Sequence, residues 1–443
     1  MPQNPSTRLL DSVAAIAAGF PKILRGLRRW FALWLLLLLV VWLLIACQDG
    51  QQRKKVFLVG FDGLSTEVLD GLLAKGECPN FAKLRRRGVT LQVTSFGAML
   101  SPVIWTTVIT GKMPEKHGIT DFFQQRSAKG KMFFQVSSHN RRVKALWNIA
   151  PERGLRVGVV NWWASYPCED IDGIMVSKNF AEGFAKLGVK SPESVCPETF
   201  RQRIDWIPDQ VGREYDKLAD LHNLAYPAES RTHLLQDETV FRVFERMYLE
   251  AGLQVFAVYF WQLDQMEHIY FHAYDRSPVH GDDRVQKRRK RVLRYSPRIL
   301  TDYYRYYDSL LGRIMRYMDK NSLLVLVSDH GFGIRETDGV PWHKQDTYGF
   351  LYTPGTFLVP GQTMTDVKMT DYLPTILLYL GLPQADDMDG QALRQAFTTD
   401  FLADCCKQKI DSYDNGFVVP HKDVPNPIQK DQLKNLKTLG YIK

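Results

Sequence analysis

Seven side chains of metal-binding or nucleophilic type stand beside apolar runs in this sequence: Asp62, Ser101, Asp264, His268, Asp329, His330 and His343. Asp329 and His330 follow the run 323–327, LLVLV, and set one hard oxygen next to one imidazole nitrogen, a pair that suits zinc. Asp62 follows 56–61, VFLVGF, with a permissive glycine at 63. Asp264 and His268 follow 255–261, VFAVYFW, and their spacing of four puts them on one face of a helical turn. Taken singly, each is equally readable as a surface turn, a helix cap or a surface pair. The repetition is what counts, because unrelated surface residues do not fall again and again at the same end of successive strands. Oxygen and nitrogen ligands without cysteine suit two divalent ions, zinc ahead of manganese or iron. Two metals about 4 Å apart can hold the attacking and leaving oxygens of an in-line displacement at phosphorus.

A nucleophile is available in 101–111, SPVIWTTVITG. Pro102 suits the first turn of a helix, which predicts Ser101 as its N-cap, facing amide donors and the positive end of the helix dipole. An ordinary serine cap has the same appearance; a neighbouring metal would make the difference by activating the hydroxyl. Thr106 and Thr107 are rival hydroxyls, but they fall inside the helix, away from its amide-rich end.

These residues need a scaffold that gathers strand ends. The runs 56–61, 255–261 and 323–327 read as buried strands of a parallel sheet, and in open α/β sheets ligands sit beyond the carboxyl ends of the strands. Further strands are predicted at 89–94, 156–161 and 356–359. Helices are predicted at 67–75, 79–87, 302–318 and 371–380, the last ended by Gly381. The region 180–250 reads as a charged, mostly helical insertion over the sheet. Trp162 and Trp163 are open to two readings, stacking on a base or sugar, or core packing.

The 443 residues carry a net charge of +9, spread widely except for one block, RVQKRRKRVLR at 284–294. That block admits a solvated helix face, an anionic membrane surface or nucleic acid as its counterpart, and no nucleic-acid partner is expected. Six cysteines (47, 78, 168, 196, 405 and 406) show no CxxC zinc spacing, and disulfides are open if the domain is exported. The segment 30–46 runs without a charge after the basic leader 1–29, long enough for a bilayer core with its N-terminus held in the cytoplasm. It is either a retained anchor or an export signal, with Leu44-Ile45-Ala46-Cys47 resembling a lipoprotein signal in which Cys47 receives the lipid. The expected organisation is a basic region 1–29, an anchor or signal 30–47, a linker 48–55, a catalytic domain 56–404 and a tail 405–443. The domain is expected on the outer side of a bacterial-type cell envelope membrane.

Taken in order, FDG (61–63), Ser101 before PVIWTTVITG, PEKHGI (114–119), DQMEH (264–268), SDHGF (328–332), His343, TDYLPTILLYLGLP (370–383) and MDG (388–390) resemble the alkaline phosphatase superfamily. The resemblance is strongest to its type I phosphodiesterase/nucleotide pyrophosphatase branch and covers about 55–392. It implies an α/β fold of three layers with a mostly parallel central sheet. It also implies Asp62, Ser101, Asp329 and His330 around one metal, and Asp264, His268 and His343 around the other, with Ser101 as nucleophile. The implied chemistry is hydrolysis of phosphate esters, above all phosphodiesters, through a phospho-serine intermediate. The branch usually carries an Asn shortly after HGI, where this chain has Thr120-Asp121-Phe122-Phe123, so nucleotide specificity is not expected. Val103 and Trp105 stand where a sulfatase needs other residues. The alternatives are an envelope phosphoryl or phospho-alcohol transferase, and a non-catalytic surface binding protein that keeps the fold.

Overall fold

Phe57, Val59 and Phe61 belong to one buried apolar cluster, and the alternating Val56 and Leu58 to another. A strand that buries both faces lies inside a sheet covered on each side, and the computed structural model of the chain places it so. The structure describes residues 54–418, apart from 98, 127–131, 182–192, 223–230, 251 and 406–407, together with the single positions 34 and 434. Its strands and helices belong to the contact unit Lys54–Lys443.

The central sheet contains β1 (Lys55–Phe61), β2 (Val89–Thr94), β3 (Arg156–Val160), β4 (Gly173–Val176), β5 (Val195–Cys196), β6 (Leu253–Phe260) and β7 (Ser322–Val327). A separate hairpin of β8 (Gly331–Ile334) and β9 (Pro341–Lys344) follows, and then β10 (Asp346–Tyr352) and β11 (Gln362–Val367) return to the sheet. Its order is β11-β2-β10-β7-β1-β6-β3-β4-β5. β1 runs parallel to both β6 and β7, while β10 is antiparallel to β2 and β7.

Helices cover both faces. The longer ones are α1 (Thr66–Ala74), α2 (Pro79–Arg87), α3 (Ser101–Thr110), α4 (Arg231–Tyr248), α5 (Gln262–Tyr274), α6 (Asp283–Val292), α7 (Arg298–Met315) and α8 (Tyr372–Leu380). Val68, Phe81, Phe244, Leu263 and Tyr307, from α1, α2, α4, α5 and α7, pack on the face of Phe57. Trp105 of α3 and Ile376 of α8 pack on the face of Leu58. The result is three layers, helix–sheet–helix, around a mostly parallel sheet.

One sequence expectation changes. The predicted strand at 356–359 is absent apart from a bridge at Leu358; prolines at 354 and 360 confine it, and β10 supplies the strand instead. Within 180–250, α4 packs on the central sheet and contributes Leu234, Phe241 and Phe244 to the core. The anchor or signal at 30–47 lies outside the described residues, Trp34 apart, as does most of the tail. Among the described residues, no helix is long and apolar enough to cross a membrane. Cys168 and Cys196 form a disulfide.

One buried polar relay orients α5, the helix of Asp264. The Leu263 amide donates to the Tyr307 hydroxyl (3.0 Å), and Tyr303 and Tyr307 both donate to Asp237 Oδ2 (2.8 Å each). Burial pushes the Asp237 carboxyl up to about 8, against the pull of the two tyrosines. An unfolded Asp titrates near ~3.9, so the folded chain holds a proton there that the unfolded chain has lost. The stability this group contributes is full below that value and falls as pH rises through about 8. Asp237→Asn keeps an acceptor for the tyrosines and removes the ionisation. Thermal melts should therefore show the native protein losing ground to the variant between pH 5 and 9, by roughly 4 kcal/mol, most of it below pH 8. Parallel curves would contradict this assignment.

Candidate active site

The carboxyl end of the sheet collects the predicted residues. Asp62 follows β1, Asp264 lies in the first turn of α5 after β6, and Asp329-His330 follow β7. His343 differs from expectation, since it comes from β9 of the hairpin and not from a strand end of the central sheet. Gly63 makes the turn after Asp62 possible. Its φ is +76°, and a Cβ there would lie 3.0 Å from Asp264 Cβ, so the Asp62 and Asp264 loops can approach only around a glycine.

Two groups of donor atoms result, each with all its atoms within 4.8 Å of one another: Asp62, Asp264 and His330, and Asp264, His268 and His343. Asp264 is common to both. Its Oδ1 lies 3.2 Å from His343 Nε2, 3.4 Å from His268 Nε2 and 3.9 Å from His330 Nε2. His330 Nε2 is also 3.3 Å from Asp62 Oδ1 and 3.6 Å from Asp329 Oδ2. Asp329 Oδ1 accepts from the Gly63 amide at 3.3 Å.

The electrostatics of this cluster call for cations. Burial, reinforced by Asp62, raises the carboxyls of Asp264 and Asp329 well above the ordinary carboxylate range. Burial works against charge on His330, but Asp329, Asp62 and Asp264 outweigh it and push the imidazole up to about 10. His268 and His343 are lowered by burial and by the charge on His330. Asp62 Oδ1, Asp329 Oδ2 and His330 Nε2 are buried without a hydrogen bond. Buried polar atoms are rarely left so, and convergent carboxylate oxygens and imidazole nitrogens are what a divalent ion takes as ligands. The residues therefore fit a metal, and the shared Asp264 lets two such sites adjoin.

Ser101 is the first residue of α3, with Leu100 at the N-cap, one position from where the sequence put the helix start. It is 4% exposed, and its hydroxyl enters no hydrogen bond with the described residues. The rivals are occupied: Thr106 Oγ1 donates to the Pro102 carbonyl at 2.7 Å, and Thr107 Oγ1 to that of Val103 at 3.0 Å. His117 of the HGI sequence faces Thr107 through Nε2 and accepts from the Ile119 amide through Nδ1, so it braces this helix. Burial lowers His117 to about 3, leaving the ring neutral. Two contacts tie α3 and the residues before it to the donor cluster and its support. The Met99 backbone meets the His343 ring, and Trp105 packs on Tyr259 with ring centroids 4.8 Å apart.

Tyr259 itself escaped sequence reasoning, because a tyrosine inside VFAVYFW reads as core. Its hydroxyl donates a hydrogen bond to Asp62 Oδ2 and receives one from Trp163 Nε1 at 2.8 Å. Trp162 and Trp163 are both buried, so of the two readings open for them, core packing holds, with Trp163 doubling as a donor. Glu267 was equally hidden: Tyr304 donates to its Oε1 (2.6 Å) and accepts from the Ser65 amide (2.8 Å), joining the Asp62 loop to α5. Lys178, after β4, sits over the rings of Trp163 (4.4 Å) and Trp261 (3.9 Å) at the same end of the sheet. Tyr259→Phe should lower both metal affinity and kcat/KM about 10–100-fold, as loss of a group that orients a ligand does. Metal titration alongside kinetics tests this, and an unchanged affinity would reduce Tyr259 to a packing residue.

The sequence model of the type I phosphodiesterase / nucleotide pyrophosphatase family matches residues 56–346. No curated protein matches significantly. Among solved structures, human ectonucleotide pyrophosphatase/phosphodiesterase 5 is similar at 13% identity and a TM-score of 0.46, over 78% of this chain and 100% of that one. The murine protein, solved alone and as an inactive variant in complex with AMP, is similar at 12% identity with the same TM-score and coverage.

Proposed function

The chain belongs to the type I phosphodiesterase / nucleotide pyrophosphatase family and is a phosphoric ester hydrolase; we propose that it cleaves phosphodiesters through a phospho-serine intermediate on Ser101. The observation that carries this reading is the pair of donor groups sharing Asp264, with the Met99 backbone, two residues before Ser101, against the His343 ring. Asp62, Asp329 and His330 would hold one divalent ion, zinc by their chemistry, and His268 and His343 the other, with Asp264 reaching both. Bound there, the ions supply positive charge that acidifies a hydroxyl and neutralises the oxygens of a transferring phosphoryl group.

The residues of the chain do the rest. Ser101 Oγ, giving up its proton, attacks phosphorus in line and one alkoxide of the diester leaves, taking up a proton, to give a seryl phosphodiester that keeps the other alkyl group. Attack by water on that phosphorus then restores the serine hydroxyl and releases a phosphomonoester. The first amides of α3 face the anion, as helix N-termini do. Asp62 is held by Tyr259 and Asp329 by the Gly63 amide, so these carboxylates are positioned before substrate arrives. Phe122 lies within the stretch where the nucleotide-cleaving branch carries its Asn, and it packs on Trp163 with centroids 5.7 Å apart. It offers no polar atom to a phosphate oxygen, which favours a substrate other than a nucleotide.

The Cys168–Cys196 disulfide supports a location outside the cytoplasm, and the apolar segment 30–46 supports attachment to a membrane. The test is a panel of phosphate monoesters, diesters and phosphonates, with native protein and after chelation. Diester cleavage should vanish on chelation and return with zinc. A metal-replete protein that cleaves none of them would remove the hydrolase mechanism and leave a binding protein.

A further inference from the structure

The basic block 284–294 takes no part in the chemistry above, yet it is built onto the site. It forms α6, started by Asp282, whose Oδ1 accepts from the Val285 amide at 3.0 Å. Arg288 Nη2 donates to the carbonyl of His268 at 2.7 Å, and Arg289 Nη2 to the carbonyls of Arg276 (2.6 Å) and Ser277 (2.9 Å). The turn before α6 lies against the hairpin that carries His343: a Cβ on Gly281 would stand 2.7 Å from the Asp338 carbonyl. The helix thus borders both elements that supply His268 and His343.

Its outer charge exceeds what this packing needs. From Asp282 to Arg294 there are seven basic side chains and two acidic ones. Arg284, Lys287, Lys290, Arg291 and Arg294 are exposed, and among the described residues only Arg284 of these, its side chain 94% exposed, has an ion pair, with Asp282. Arg284, Arg288 and Arg291 share one helix face, so exposed charge continues from the arginine that touches α5. Like charges at this spacing oppose the helix, and an anionic counterpart reverses that.

We propose that α6 is a polyanion subsite: the substrate carries negative charge beyond its scissile phosphate, and α6 receives that charge. The proposal rests on the hydrolase reading and narrows its substrate class. Arg284, Lys287 and Arg291 draw in and orient the anionic tail, while the bond is cut at the donor cluster. Such fields raise encounter rates and fade with ionic strength.

The experiment uses the full chain in neutral detergent and two p-nitrophenyl phosphodiesters, one with a short oligo-aspartate tail and one with an oligo-serine tail of equal length. The native protein should favour the acidic tail in kcat/KM by about tenfold or more at low salt, and the preference should shrink as salt rises. Arg284→Glu/Lys287→Glu/Arg291→Glu should erase it while bis(p-nitrophenyl) phosphate is still cleaved at the native rate. A native protein indifferent to the tails, or a triple variant that keeps the preference, overturns the subsite. Indifference joined to loss of binding to phosphatidylglycerol vesicles in the triple variant also overturns it and assigns the helix to a lipid surface. Absence of bis(p-nitrophenyl) phosphate cleavage in the native protein strikes the hydrolase reading itself.

Discussion

Ser101→Ala should keep its metal and lose phosphodiester turnover by about 10³–10⁶-fold, the range seen when a covalent nucleophile is removed. Ser101 is buried at the first position of α3, where the hydroxyl holds no hydrogen-bond partner among the described residues. Its removal leaves no unsatisfied partner, so the fold has no reason to weaken. Neighbouring hydroxyls cannot substitute: Thr106 and Thr107 are bound to the Pro102 and Val103 carbonyls within the helix. Ser101→Thr keeps an oxygen in place and should retain far more activity than the alanine variant. Metal analysis of both variants, with a rapid-quench search for phosphate on the serine, separates loss of the nucleophile from loss of the site. Native-like turnover in Ser101→Ala would falsify the assignment.

The parts of the site that were legible in the sequence were those that interrupt an apolar run. Asp62, Asp264 and Asp329 each break a continuous hydrophobic stretch, and a charge just past a buried strand has few roles other than a ligand or a cap. What stayed hidden was polar function inside apolar runs. Tyr259 and Trp163 look like core by type, and they are core by burial; only their meeting at the ends of β3 and β6 makes Tyr259 a donor to Asp62 and Trp163 a donor to Tyr259. Glu267 was hidden differently, since a Glu in DQMEH reads as the solvent side of a helix, whereas α5 is buried around most of its circumference. The strand placed at 356–359 shows the opposite failure. Four residues of strand-like type misled because local propensity says nothing about available sheet partners, whereas β10 pairs on both sides despite its Asp346 and Gly349.

Asp264→Asn should be the more damaging of the changes among the ligand-type residues. The family resemblance implies a set of Asp264 with His268 and His343, while in the fold its Oδ1 also approaches His330, so it belongs to both donor groups. His268→Ala or His343→Ala then removes a donor from one group, and the other group keeps all of its own. Asn in place of Asp264 keeps the shape but takes a negative charge from both groups at once. Metal content should fall toward zero in Asp264→Asn and toward half in either histidine variant, as measured on protein dialysed against a weak chelator. Activity should fall in Asp264→Asn by more than the about 10²–10³-fold that follows loss of one stabilising group in a transition state. The native cluster carries repulsion that burial and Asp62 impose on Asp264 and Asp329, so metal-free Asp264→Asn should melt no lower than metal-free native protein. That pairing of a stable fold with an empty centre distinguishes a shared ligand from a residue needed for packing. Metal content in Asp264→Asn equal to that of His268→Ala would assign Asp264 to one group alone.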